Sequence, residues 1–253
     1  MAFYDLSKGD RVRLVRRIQE NIGEGFRHGE AGCILKYFSD DDTYVRKAAY
    51  QAVGKVYKSS PELHARILVI LKTILRSDLA KVRQTAVNAA GEIGIHNFEA
   101  VQYFFDTGLF DPHHSVRNAV IGSLKKMSEK NPVPTLQWAK LYLHHDDKEI
   151  RREVCHGIEL RGRTHPQDIL PLLEQLQHDK TSRVRNTLIH VLGQIAYKKG
   201  CLPVVVQALS AWDNQILVKE AIEEIVDVHR RYKNFAALTA GEAKTYIEQY
   251  FSK

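Results

Sequence analysis

The sequence has few residues of the kinds that carry covalent or redox chemistry. Its 253 residues include three cysteines, two tryptophans and two methionines. The cysteines, Cys33, Cys155 and Cys201, are odd in number, far apart and outside any Cys-X-X-Cys pair. This pattern argues against a disulfide framework and a zinc ribbon, and it favours a reducing compartment.

Long apolar runs are also missing. The longest, ILVILKTIL at 67–75, is far too short to cross a bilayer. The stretch MAFYDLSKGDRVRLVRR at 1–17 lacks the continuous apolar segment of a secretory signal. We therefore expect a soluble, cytoplasmic protein that does not contact membranes. Its formal net charge of +7 makes polyanions plausible partners.

What the sequence does contain is a recurring Val-Arg dipeptide, or a close variant, with an apolar run behind it. The aligned apolar positions are Val45, Val82, Val116, Ile150, Val184 and Val218. The spacing is 37 residues once and then 34 residues four times in succession. A degenerate copy at Val12 extends the array toward the N-terminus. The chain is therefore built from repeats of constant length.

Each repeat predicts a pair of α-helices, because apolar residues recur three and four positions apart both before and after the dipeptide. Such pairs bury their apolar faces only by stacking on their neighbours. The predicted fold class is all-α, a right-handed α-solenoid of about seven helix pairs with a C-terminal capping helix. The pairs are expected near 1–22, 30–58, 61–95, 97–129, 133–163, 166–198 and 201–231, with the cap at 239–251. No linker interrupts them, so residues 1–253 are predicted to form a single domain.

An aspartate precedes most of the dipeptides by four or five residues, where it suits the N-terminus of the second helix. Aspartate followed by Val-Arg resembles the HEAT repeat, and the resemblance covers nearly the whole chain. The recurrent arginines are expected to bond an aspartate of their own or the adjacent repeat and to fix the register of the stack. They are Arg46, Arg83, Arg117, Arg151 and Arg185.

Polar residues recur on the second helices at a common set of offsets from the dipeptide, which places them on one stripe of the expected concave face. Basic and amide side chains in such a stripe suit a phosphate backbone. The predicted nucleic-acid contacts are Lys47, Lys55, Lys126, Arg152, His156, Arg161, Arg163, Asn186 and His190. A solvated surface without a ligand is the alternative interpretation.

Three residues are weak candidates for catalysis, namely Glu159, Glu92 and His156. His156 and Glu159 lie three apart on one helix, so an acid and a base are within reach of each other. A surface ion pair is the alternative. We expect no cofactor and no metal, since adjacent histidines such as His113 and His114 seldom point at one ion. Cys155 is expected to be a small core residue.

The segment from 150 to 212 resembles the HEAT-like bacterial DNA alkylation repair proteins, a superfamily of DNA glycosylases. The resemblance lies in IRREVCHG, DILPLLEQLQHDKTSRVRNTLIHVLGQIAYKKG and VVVQALSAW. One branch of that family has Ser-Glu-Gly where this chain has Cys155, His156 and Gly157. The acidic position is therefore His156 here, which favours DNA binding over catalysis.

Three functional hypotheses follow. The first is a HEAT-repeat protein that binds the phosphate backbone of double-stranded or branched DNA on its concave face. The second is an active alkylpurine DNA glycosylase in which Glu159 or Glu92 supplies the carboxylate. The third is a scaffold for a protein partner, without a nucleic-acid ligand.

Overall fold

The computed structural model describes residues 2–251, and every regular element in this range is helical, with no strand. The chain divides into two compact units, Met1–Asn131 and Pro132–Lys253. The predicted domain 1–253 includes Met1, Ser252 and Lys253, which lie outside the described residues. That the two units form a single domain stays a prediction.

Unit 1, Met1–Asn131, contains one long helix followed by three helix pairs. The helices are α1 (Lys8–His28), α2 (Ala31–Phe38), α3 (Thr43–Ser59), α4 (His64–Ile74), α5 (Ala80–Gly94), α6 (Phe98–Gly108) and α7 (His114–Lys130). Short 3-10 helices lie at Phe3–Asp5 and Pro61–Leu63. α1, α3, α5 and α7 pack side by side in one layer, and α2, α4 and α6 form the other. The apolar core lies between the layers.

Unit 2, Pro132–Lys253, repeats this arrangement and adds a final helix. Its helices are α8 (Pro132–Tyr142), α9 (Lys148–Gly157), α10 (Glu159–Gly162), α11 (Pro166–Glu174), α12 (Ser182–Ala196), α13 (Cys201–Leu209), α14 (Gln215–Arg231) and α15 (Ala240–Phe251). α12 packs between α9 and α14, and α11 packs on α13. α15 covers the end of the stack by packing on α13 and α14.

The six aligned apolar positions from Val45 to Val218 are buried, as are Trp138 and Trp212, whereas Val12 of the degenerate first copy is 56% exposed. The predicted all-α solenoid of stacked helix pairs is confirmed. None of the helices between residues 2 and 251 has both the length and the apolar character that spanning a membrane requires.

The N-terminal region differs from the predicted pair near 1–22, because α1 is one continuous helix. The Ser7 hydroxyl caps its start by accepting from the N–H of Asp10 at 3.1 Å. No proline or turn sequence interrupts the run until Gly29, which ends the helix with a left-handed φ of 75°. α1 packs on α3 just as α3 packs on α5, so it belongs to the layer of second helices.

The recurrent arginines brace the turns between paired helices. In each case the Nη1 group donates to the backbone carbonyl six residues earlier, at 2.5 to 2.8 Å. The five arginines are Arg46, Arg83, Arg117, Arg151 and Arg185. Arg83 and Arg151 also reach into the next repeat, where each donates through Nε and Nη2 to an aspartate. The expected register contacts are therefore present at these two arginines.

The aspartates before the second helices lie one or two residues before the helix cap. Asp40, Asp111 and Asp179 each accept from the backbone N–H two residues later, at 2.8 Å. The N-cap of α3 is Asp42, and that of α9 is Asp147. Asp111 and Asp179 therefore fix the turn and receive arginines, whereas the side chains of Asp42, His113 and Asp147 cap α3, α7 and α9.

Candidate nucleic-acid interface

Each unit has a second-helix face, made by the exposed and half-buried positions of α1, α3, α5 and α7 in unit 1 and of α9, α10, α12 and α14 in unit 2. In unit 1 it carries Lys47, Lys55, Glu92 and Lys126. In unit 2 it carries Arg152, His156, Asn186 and His190, with Arg161 in α10 and Arg163 directly after it, whereas Glu159 at the start of α10 is buried.

Lys47 and Lys55 are exposed on α3. They lie eight residues apart with exposed Gln51 midway, so the three side chains form one line along the helix. Lys55 Nζ lies 3.4 Å from the side-chain oxygen of Gln19 on α1. Within residues 2–251 no carboxylate forms an ion pair with either lysine, so both charges face solvent.

Lys47 lines a cavity of about 320 Å³ between α3 and α5. Gln84 and Asn88 of α5 line its other side, and Tyr44 and Tyr50 lie beside the lysine. Burial raises the pKa of Tyr50, so its hydroxyl is protonated at neutral pH. The cavity therefore combines a cation, two amides and two aromatic rings.

Lys126 is held by an acid of the neighbouring helix. Its Nζ lies 2.6 Å from Glu92 Oε1 and 5.4 Å from the centre of the Tyr50 ring. The predicted contact Lys126 and the weak catalytic candidate Glu92 are thus partners of one another. A carboxylate in such a pair is less available for chemistry on a bound ligand.

The arginines of unit 2 are also held by acids. Arg152 Nε lies 2.9 Å from Glu149 Oε2, and its Nη2 lies 3.4 Å from Glu153 Oε1. Arg161 bonds Asp168 of α11 through Nη2 and Nε, at 2.5 and 2.7 Å. These arginines would have to exchange an internal partner for a phosphate.

Glu159 is the centre of a buried polar cluster at the junction of α9, α10 and α12. The chain leaves helical geometry at Ile158, and Glu159, at the start of α10, is only 1% exposed. Its Oε1 accepts from Arg163, and its Oε2 lies 3.2 Å from His156 Nε2. Arg163 also donates to Gln194 Oε1 at 2.9 Å.

His190 of α12 completes this cluster. Its ring centre lies 5.9 Å from that of His156, and its Nδ1 lies 3.8 Å from Glu224 of α14. The contact predicted between His156 and Glu159 is present, and the buried glutamate makes it more than a surface ion pair. Among the described residues, His156, Glu159 and His190 form a group that could hold a metal ion.

Cys155 is fully buried, as expected of a core residue. Burial raises the pKa of its thiol, so the thiol is protonated at neutral pH and is a poor nucleophile.

Sequence reasoning missed the acids that hold the predicted basic contacts. Glu149 forms an ion pair with Arg152, and Asp168 forms one with Arg161. Glu224 lies beside His190. For Arg152 a signal was present, because Glu149 lies three residues before it on the same helix. For His190 the signal was the repeat length itself, since Glu224 lies 34 residues later and meets it through the stacking of repeats.

Known proteins resemble this chain in fold. The family model of HEAT repeats matches residues 135–225. AlkD2 from Streptococcus mutans is similar in structure, with 17% identity and a TM-score of 0.55 over 81% of this chain and 97% of that one. No curated protein matches the sequence.

Two further solved structures have lower TM-scores. The alkylpurine DNA glycosylase AlkC of Pseudomonas fluorescens, bound to DNA containing an abasic-site analogue, has 11% identity and a TM-score of 0.49, over 85% of this chain and 62% of that one. An archaeal HEAT-like repeats protein from Thermococcus onnurineus has 16% identity and a TM-score of 0.41, over 88% and 98%.

These findings confirm the predicted resemblance in fold. Residues 135–225 match the family model of HEAT repeats, and most of the chain shares its helical fold with AlkD2 of Streptococcus mutans.

Proposed function

We propose that the chain binds DNA, double-stranded or branched, through phosphate contacts along its second-helix face. The observation that carries the proposal is the pair of exposed lysines on α3, Lys47 and Lys55, which no carboxylate among residues 2–251 neutralises. Lysine side chains that neutralise phosphates release the counterions condensed on DNA, and this release drives association.

The surroundings of Lys47 support the same function. Gln84 and Asn88 offer hydrogen bonds to phosphate and sugar oxygens. Tyr50 contributes a hydroxyl donor, and Tyr44 is 44% exposed and presents a ring beside the lysine. The net charge of +7 raises the local concentration of polyanions around the whole chain.

The predicted contacts of unit 2 have a smaller part in this proposal. Arg152, Arg161 and Arg163 are already bonded to carboxylates, so a phosphate gains less from them. Asn186 is exposed on α12 and is available as a hydrogen-bonding group. DNA contact is therefore expected mainly from unit 1.

The ion pairs made by the two candidate catalytic carboxylates, Glu92 and Glu159, favour DNA binding over base excision. Glu92 is paired with Lys126, and the buried Glu159 is paired with Arg163. A glycosylase of the second hypothesis would need one of these groups facing the substrate. We further propose that the chain works in the reducing, cytoplasmic compartment that its three free cysteines favour.

Fluorescence anisotropy with labelled duplex and four-way-junction DNA tests the proposal. Lys47→Gln and Lys55→Gln should each weaken binding roughly 5- to 10-fold near 0.1 M salt, as expected from losing one phosphate contact. Lys36→Gln, on the first helix α2, removes the same charge from an exposed site and should leave affinity unchanged. Equal weakening by all three substitutions would contradict a localised interface. A protein partner that survives nuclease treatment, with no DNA binding, would favour the scaffold hypothesis.

A further inference from the structure

His156, Glu159 and His190 bring three metal-ligand atoms together in unit 2. One nitrogen of each histidine and one carboxylate oxygen all lie within 4.8 Å of one another. His156 and Glu159 come from the broken helix α9–α10, and His190 comes from α12 beside it. The two side chains of the broken helix are already 3.2 Å apart, from Nε2 to Oε2.

The helix break at Ile158 lies between the two ligands His156 and Glu159. Ile158 has φ −91° and ψ −1°, and its N–H bonds the carbonyl of His156 as well as that of Val154. The distorted turn places Glu159 in the interior while His156 stays 30% exposed at its side chain. A buried carboxylate beside a solvent-accessible imidazole gives an ion both a strong ligand and a way in.

The two oxygens of Glu159 have different partners. Oε1 accepts from Arg163, which compensates the buried charge and fixes the plane of the carboxylate. Oε2 faces His156. The first contact therefore orients the second oxygen as a ligand, in the way that outer partners commonly orient metal-binding carboxylates.

Two neighbouring groups fit the same role. Glu224 Oε1 lies 3.8 Å from His190 Nδ1, and a small ring rotation would let that nitrogen donate to it, as metal-bound histidines usually donate to a carboxylate. Gln194 is 3% exposed, and its Nε2 has no hydrogen-bond partner among the described residues. It is an unused buried donor on a side chain that shares Arg163 with Glu159.

We propose that His156, Glu159 and His190 bind one divalent transition-metal ion, with Zn²⁺ as the representative ion. Two imidazoles and one carboxylate are a donor set that Zn²⁺ accepts, and three protein ligands leave a coordination position for water or a ligand. Ligands about 2.1 Å from a tetrahedral ion lie about 3.4 Å apart. The 3.2 Å separation of His156 and Glu159 is close to this value, and His190 must move inward by about an ångström to join them.

Titration of the full chain with Zn²⁺, without DNA, tests this site. Calorimetry together with metal analysis after dialysis should give one ion per chain. Co²⁺ should give the visible absorption bands of a tetrahedral or five-coordinate site. His190→Gln and His156→Gln should each lower the affinity by more than about 100-fold, since loss of an outer partner alone costs 10- to 100-fold. Glu224→Gln should cost about 10-fold.

His114→Gln is the matched control, because His114 is an exposed histidine stacked on His113. It should keep the one-to-one binding. Circular dichroism shows whether each variant is folded, and if one ligand variant is not, the other and the Co²⁺ spectrum decide the question. Undiminished binding in the ligand variants, loss of binding in His114→Gln, or no one-to-one binding in the unmodified chain would overturn the proposal.

Discussion

At the scale of single residues, the arginines that follow the core valines are part of the scaffold. Arg83 and Arg151 each tie a turn of their own repeat to an aspartate of the next one. The recurrence of Val-Arg predicted these contacts because a residue that returns in every repeat usually serves the stacking. It did not predict the backbone carbonyls that the same guanidinium groups bond.

Loss of the contact between Arg151 and Asp179 should destabilise the chain. The two side chains are 14% and 5% exposed, so solvent screens the pair little. Arg151→Met should lower the free energy of unfolding by roughly 2–3 kcal/mol, the amount typical of charged hydrogen bonds. Urea unfolding of the two single variants and the double variant with Asp179→Asn gives the coupling energy, expected at about 1–3 kcal/mol. A coupling energy near zero would contradict this account.

Acid should lower the free energy of unfolding by protonating Asp111 and Asp179, the aspartates that receive the arginines. Burial by itself would raise the pKa of Asp111 and Asp179, but hydrogen bonds from the arginines and from backbone N–H groups outweigh it and lower both pKa values. A depressed carboxyl pKa gives stability that is present above the unfolded value of about 3.9 and is lost as the pH falls below it. Unfolding measured from pH 5 to pH 3 should therefore show a fall in stability. The fall should be smaller in Asp179→Asn than in the unmodified chain. An identical fall in the two proteins would show that the lowered pKa of Asp179 is not the cause.

The candidate site was predicted only in part. Most of the predicted contacts lie on second helices, because their spacing follows helical geometry, but Arg163 lies after the end of α10. Whether a given arginine faces solvent depends on acids that come from other helices, such as Asp168 beside Arg161. The spacing of residues in the repeat does not predict the pairing of Arg161 with Asp168.

At the scale of elements, glycines set the distance between neighbouring second helices. Gly54, Gly91 and Gly193 all lie nine residues after the aligned valine of their repeat. A Cβ on Gly91 would lie 2.4 Å from Ser123 Oγ and 3.3 Å from its Cα on α7. A Cβ on Gly54 would lie 2.6 Å from Glu92 Cβ on α5. These positions need glycine because the helices approach closely.

Gly91→Ala should therefore destabilise the chain, although alanine is the better helix former. Pushing α5 and α7 apart should cost roughly 1–3 kcal/mol, which exceeds the gain of about 1 kcal/mol in helix propensity. Gly122→Ala is the control, since a Cβ there meets nothing within 4 Å and should raise stability by up to about 1 kcal/mol. Thermal unfolding compares the two, and equal effects would show that helix spacing is not the cause.

Two elements departed from the repeat pattern for local reasons. The helix break at Ile158 follows Gly157 and separates α9 from α10, whereas the equivalent helix α12 is continuous. α1 is a single helix because no turn sequence divides it. The spacing of apolar residues predicts which face of a helix is buried, but it does not predict where the helix is interrupted.

At the scale of the molecule, the spacing of 34 residues was enough to predict stacked helix pairs, since a unit that cannot bury its own apolar face must stack. The order of the helices and the identity of the core followed from the same spacing. The distribution of charge did not, because exposed lysines occur on first and second helices alike, while arginines of the second-helix face such as Arg152, Arg161 and Arg163 are neutralised internally.

The salt dependence of duplex binding tests the central claim most directly. Phosphate contacts predict that log K falls linearly with log salt concentration, by about 0.9 for each contact. The double variant Lys47→Gln/Lys55→Gln should reduce this slope by about 1.8, while Lys36→Gln should leave it unchanged. Absence of binding at low salt, a flat plot, or an unchanged slope in the double variant would contradict DNA binding by this face.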